Sequence, residues 1–107
     1  MPAKKRSYRE TKSVLVTILL PQCGVSEAII NGTIIPWTGG ATTSKSTGCW
    51  RNDDGDVILD NVLKVETLAT PSEALLLRSQ YAEWAHDLGE IELCAWEIEV
   101  TPYFIRQ

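Results

Sequence analysis

Apolar and polar positions along the chain alternate with two different periods, and the switches between them mark its elements. Ser13 to Leu20, SVLVTILL, sets Val14, Val16, Ile18 and Leu20 on one face and Leu15 and Leu19 on the other. Apolar residues on both faces predict a central strand covered at least in part on both sides. Pro21 ends it, because proline has no N–H for the ladder. Ser26 to Trp37 carries two signals. Ser26-Glu27 followed by Ala28, Ile29 and Ile30 suits a helix start with an apolar face. Asn31-Gly32 and Thr33-Ile34-Ile35 suit a turn and a strand. A short helix is the reading that fits the pair of strands downstream.

Val57 to Ala69, VILDNVLKVETLA, predicts a long strand with Leu59, Leu63, Val65, Thr67 and Ala69 on the buried face and Asp60, Lys64 and Glu66 on the wet one. Its upstream partner is Ala41 to Trp50, joined through Asn52-Asp53-Asp54-Gly55. An Asp-Gly pair between two strand-like runs is a strong hairpin signal.

Thr70-Pro71-Ser72-Glu73 is a capping box with proline at the first helical position. Ala74, Leu77, Tyr81, Trp84 and Leu88 then form one apolar stripe, and Gly89 supplies a left-handed stop. The last strand, Ile91 to Val100, changes phase. Ile91, Leu93 and Ala95 set one buried face, after which Trp96, Ile98 and Val100 alternate with Glu97 and Glu99. Either a bulge or packing of the second half against another subunit would account for the switch. Apolar Tyr103, Phe104 and Ile105 come after Pro102, and docking of this terminus is expected.

The order strand, helix, strand, strand, helix, strand predicts an α+β fold, the ferredoxin-like βαββαβ plait, with a four-stranded antiparallel sheet and both helices on one face. Residues 13–107 form this single α/β-plait domain. Residues 1–12, MPAKKRSYRETK, form a disordered basic tail, which holds five of the ten lysines and arginines. The chain is net −4, so nucleic-acid binding is expected only through that tail.

Cys23, Cys49 and Cys94 are odd in number and lack zinc spacing, which favours reduced structural cysteines and a cytoplasmic protein. The run Val14 to Leu20 is too short to cross a bilayer, and it lacks a signal-peptide cleavage pattern. No membrane association, metal or cofactor is expected.

Candidate chemistry concentrates between Gly39 and Gly55, GGATTSKSTGCWRNDDG. Gly39 to Ser46 nearly matches a phosphate-binding loop, but Ser44 replaces the second glycine and a hairpin replaces the required helix. A looser expectation remains, with Gly39, Gly40, Thr42, Lys45 and Ser46 holding a small anionic ligand and Lys45 at the hairpin tip. Asn52, Asp53, Asp54 and Asp56 lack the spacing of a calcium loop and read as a solvated turn. His86 is the single histidine, has no nucleophile in clear relation to it, and is expected in solvent. Trp50, Trp96, Ile98 and Val100 are the expected interface residues, with Trp50 and Trp96 pairing across neighbouring strands or lining a subunit contact.

Gly39, Gly40, Thr42, Gly48, Trp50 and Gly55, with a helix ending at Leu88-Gly89, give a layout that resembles small bacterial α/β-plait proteins of the PII-like and CutA-like kind. The resemblance spans residues 13 to 100. It implies a projecting hairpin between the second and third strands, trimeric assembly, and nucleotides or other effectors near the hairpin's base. The expected function is therefore a non-enzymatic, homo-oligomeric (dimer or trimer) binding or regulatory module. Two alternatives are a protein- or nucleic-acid-interaction accessory domain using the basic tail, and a dimeric α+β-barrel-type enzyme using His86 or an acidic residue.

Overall fold

A computed structural model describes residues 10–107. The sheet contains β1 (Val14–Pro21), β2 (Thr42–Arg51), β3 (Val57–Ala69) and β4 (Cys94–Glu99), antiparallel in the order β2-β3-β1-β4. This is the expected α+β plait with its four-stranded open sheet.

The first helical segment runs from Gly24 to Thr38 in three parts: α1 (Gly24–Ile29), a π-helical turn (Ile30–Ile34) and α2 (Ile35–Thr38). The helix expectation holds. Its start moves to Gly24, because Ser26 is fully buried and not a cap. The Asn31-Gly32 turn signal falls inside the π turn, where the widened helix absorbs it. Gly39, at φ 95°, then ends α2 in the left-handed conformation that glycine adopts without a Cβ clash.

The second helical segment is also divided, into α3 (Pro71–Arg78) and α4 (Tyr81–Asp87). Its capping box is present: Glu73 N donates to Thr70 Oγ1 at 3.1 Å, and Thr70 N donates to Glu73 Oε1 at 2.8 Å. The break falls at Ser79–Gln80, where Gln80 N bonds Leu77 O at 3.0 Å. The apolar stripe still faces the core, with Ala74, Leu77 and Trp84 buried and Tyr81 and Leu88 packed against them.

The core lies between these helices and one sheet face. Val16, Ile18 and Leu20 of β1 meet Leu63 and Val65 of β3 and Ile30 and Ile34 of the π turn. One buried polar knot joins layers. Thr67 Oγ1 lies 2.7 Å from Gly40 O and 2.6 Å from Thr38 Oγ1, and Thr38 Oγ1 donates to Ile34 O at 2.7 Å.

Two readings of the strands are corrected. β4 has no bulge, since its register with β1 runs unbroken from Val14↔Glu99 to Leu19↔Cys94. Ala95 and Glu97 share the helix-covered face with Ile18 and Val16, while Trp96 and Ile98 lie on the open face opposite Thr17 and Leu15. Leu59 is 67% exposed, because β1 pairs with β3 only from Val62 to Ala69. Residues Val57 to Asn61 stand beyond β1 with only β2 beside them, a projection of about 17 Å.

Arg9 and everything before it lie outside the described residues, and so does most of the basic tail. Lys12 Nζ is held by Glu73 Oε1 and by Thr38 O, the latter at 2.6 Å, and Glu10 accepts from Ser72 N at 2.9 Å. Those bonds fasten the start of β1 to the first turn of α3.

Candidate functional site

The hairpin between β2 and β3 turns through Asn52–Asp56. The Asn52 carboxamide oxygen accepts from Asp54 N at 3.1 Å and Asp56 N at 2.9 Å, and Gly55 takes φ 85°. The aspartates therefore serve the turn. Among the described residues, no group of three or more His, Cys, Asp or Glu is placed to hold a metal ion.

The residues expected to hold an anion are divided among separate positions. Gly39 caps α2, and Gly40 offers its carbonyl to Thr67 and Thr38. Thr42 and Ser46 pair with Glu66 and Val62 on the open face. Lys45 pairs with Leu63 in mid-strand rather than at the tip, and points to the helix side. There it borders a depression of about 400 Å³ with Thr43, Ser44, Asn31 and Glu27. The opposed carboxylate of Glu27 weakens this depression as an anion site.

A larger cavity, about 670 Å³, lies where the hairpin leaves the sheet. Its floor is the end of β1, Leu19 to Pro21, with Val62 of β3. Gln22 fixes this corner by donating through N to Asn61 O at 3.3 Å and through Nε2 to Val62 O at 3.1 Å. One wall is Trp50 with Asp60, and the other is the loop from Gly89 to Leu93 that leads from α4 into β4. Gly89, at φ 68°, turns the chain there. Asp60, Glu90 and Glu92 line the cavity, and among the described residues no lysine, arginine or histidine does. An aromatic wall, an apolar floor and a carboxylate rim suit a flat ligand of neutral or positive charge.

Trp50 is set by its own strand. Its indole lies over Gly48, where an added Cβ would come within 2.9 Å of the ring. The Gly-x-Trp motif is thus a strand position without a side chain on which an aromatic ring rests. Trp50 pairs with Ile58, and β3 and β1 separate it from Trp96, so the two tryptophans do not meet.

The open sheet face carries the other expected interface residues. Trp96 and Ile98 are 43% and 52% exposed, Leu15, Leu19 and Leu68 are half-buried beside them, and Val100 is half-buried past the strand end. His86 is exposed, and Leu77 and Trp84 fill the space between helix and sheet, so no cleft forms at the histidine. Sequence reading did not identify Asp60, Glu90 and Glu92 as neighbours, because they come from a strand and a loop about thirty residues apart.

Tyr81 is half-buried near Arg78 of α3 and Glu97 of β4, and its buried hydroxyl has no partner among the described residues. Burial, with a smaller contribution from the nearby Glu97 charge, pushes its pKa up to about 12. Cys23 is exposed, and a bond from Ser26 lowers its thiol pKa. Among the described residues, no helix is long and apolar enough to cross a membrane.

No protein-family model and no curated protein matches the chain. Solved structures do match it. CutA from Pyrococcus horikoshii superposes with a TM-score of 0.70 at 11% identity, over 85% of this chain and 87% of that one. A phage SAM lyase in complex with S-methyl-5'-thioadenosine gives 0.63 at 10% identity, over 85% and 84%. The Bacillus subtilis GlnK–ATP complex gives 0.58 at 14% identity, over 86% and 85%. The chain has the fold of CutA and of PII-like proteins such as GlnK. At these identities the likeness concerns the fold.

Proposed function

We propose that this chain is a self-associating, non-enzymatic binding module that holds an adenosine-bearing ligand of neutral or positive charge in the cavity at the hairpin's base. The observation that carries this reading is the lining itself: Trp50 beside Asp60, Glu90 and Glu92, with no basic side chain among the described lining residues. Two structures of the same fold contain adenosine compounds, one S-methyl-5'-thioadenosine and the other ATP. The carboxylate rim favours the former class, because a triphosphate would meet like charge without a counter-cation. An adenine ring would stack on the indole, and a sulfonium centre would be drawn to the carboxylates.

Self-association rests on the open sheet face. Trp96 and Ile98 are large, apolar and uncovered, and a second copy would bury them. Native mass spectrometry of the full-length protein reads the subunit number, expected to be two or three. A monomer at every concentration overturns this part.

Thermal-shift measurements with S-adenosylmethionine, S-methyl-5'-thioadenosine and ATP test the ligand. The first two should raise Tm, ATP should not, and Trp50→Ala should abolish the shift. The ligand reading fails if neither of the first two shifts Tm, or if ATP alone does. Chromatography of the S-adenosylmethionine sample separates binding from turnover: recovery intact supports a binding module, and release of S-methyl-5'-thioadenosine would make the protein a lyase.

A second reading places a small anionic effector in the depression beside Lys45, supported by Thr43, Ser44 and Asn31 at the same spot. It predicts a Tm rise with an anionic metabolite that Lys45→Ala removes and Trp50→Ala leaves unchanged.

A further inference from the structure

The last ladder bond of β4 runs from Val100 N to Ser13 O at 3.0 Å. Beyond it Pro102 has no N–H with which to continue the pairing. Tyr103, Phe104 and Ile105 are then 81%, 71% and 93% exposed, a run of three large apolar side chains left mostly uncovered by their own chain. Such a run is a contact surface awaiting a complement.

That complement lies at the opposite end of the sheet. The cavity at the hairpin's base opens beside Ile91, which is fully exposed, over an apolar floor of Leu19 to Pro21 and Val62. Its rim carries Glu90 and Glu92. The arm's single charged side chain is Arg106. We propose that residues 101–107 are an intersubunit clasp: Phe104 and Ile105 of one copy seat at the cavity mouth of a second copy, and Arg106 pairs with Glu90 and Glu92 there.

The direction of β4 assigns the seat to a second copy. Cys94, at the start of the strand, lines the cavity, whereas the arm leaves from the other end past Glu99, and none of its residues is among those lining the cavity. The contact is head to tail, a kind that closes into a ring when its rotation divides a full turn. It deepens the functional reading, because the arm covers the open side of the cavity assigned to the ligand and leaves Trp50 and Asp60 inside.

Full-length variants test the clasp by native mass spectrometry and sedimentation across a concentration series, with circular dichroism to verify folding. Wild type should be oligomeric. Phe104→Ser with Ile105→Ser should raise the dissociation concentration at least tenfold while leaving the fold intact, since both residues are exposed in the subunit. Arg106→Glu should also weaken assembly, and adding Glu90→Arg with Glu92→Arg to it should restore assembly. A monomeric wild type, unchanged dissociation of the Phe104/Ile105 variant, or failure of the charge reversal to restore assembly would overturn the proposal. Ligand binding is scored separately by thermal shift. Arm-dependent assembly without binding of any adenosine compound retains the clasp and removes the functional reading.

Discussion

Trp50 rests its indole on Gly48, two residues earlier on the same face of β2, so closely that a Cβ at Gly48 would sit 2.9 Å from Cζ2. Gly48→Ala must therefore lift the ring off the strand. The expected result is a Trp50 emission change, read as the difference from Trp50→Phe, and at least a tenfold loss of affinity for the adenosine ligand. Hairpin pairing should persist, because the backbone bonds of β2 do not depend on the ring. Unchanged emission would show that the indole is not held by Gly48.

Thr67→Val removes the hydroxyl that ties β3 to Gly40 O and Thr38. The part-buried Gly40 carbonyl loses its shorter hydroxyl contact and keeps the one from Thr38 at 3.1 Å, which costs about 0.5–1.5 kcal/mol. Urea unfolding should show the loss as a lower midpoint with an unchanged slope. An unchanged midpoint would mean that the knot contributes nothing to stability.

Tyr81→Phe should go the other way. The wild-type hydroxyl is buried without a partner among the described residues, so deleting it should stabilise the fold by about 1 kcal/mol. The pH dependence has a definite sign. The folded pKa, about 12, lies above the ordinary value of 10.0, so between these values the unfolded chain gives up a proton that the folded chain keeps. Stability therefore falls as pH rises from 10.0 towards 12. The variant should lose this share of the alkaline destabilisation, measured by urea midpoints on either side of pH 10.

Thr70→Ala breaks one half of the capping box at α3 and leaves Glu73 N without its acceptor. A loss of about 1 kcal/mol is expected, or roughly 4–8 °C in Tm for a domain of this size. Thr70→Ser keeps the acceptor and should stay close to wild type.

The elements were legible in the sequence because each is fixed by neighbours in the chain. Proline at Pro21, the box at Thr70–Glu73 and the turn at Asn52–Gly55 all act within a few residues, and each marks a boundary to within one or two positions. The readings that shifted required distant partners. The phase change at Ala95–Trp96 left a bulge and a subunit contact both open, because a single strand does not show which of its faces is covered; the unbroken register with β1 removes the bulge. Leu59 read as buried because its alternation matches that of Leu63 and Val65, although β1 ends before reaching it. Lys45, Thr42 and Ser46 read as one site because they are close in sequence, but strand alternation sends Lys45 to the opposite face.

The sequence alone thus determined the order of strands and helices, the α+β plait they form, the hairpin and its Gly-x-Trp motif. Tertiary structure decided which face of β4 is open, where β3 outruns β1, and that Trp50, Asp60, Glu90 and Glu92 surround one cavity. The physical reason is range. Backbone propensity, caps and turns act between near neighbours, whereas a cavity wall is set by where separate strands stop relative to one another.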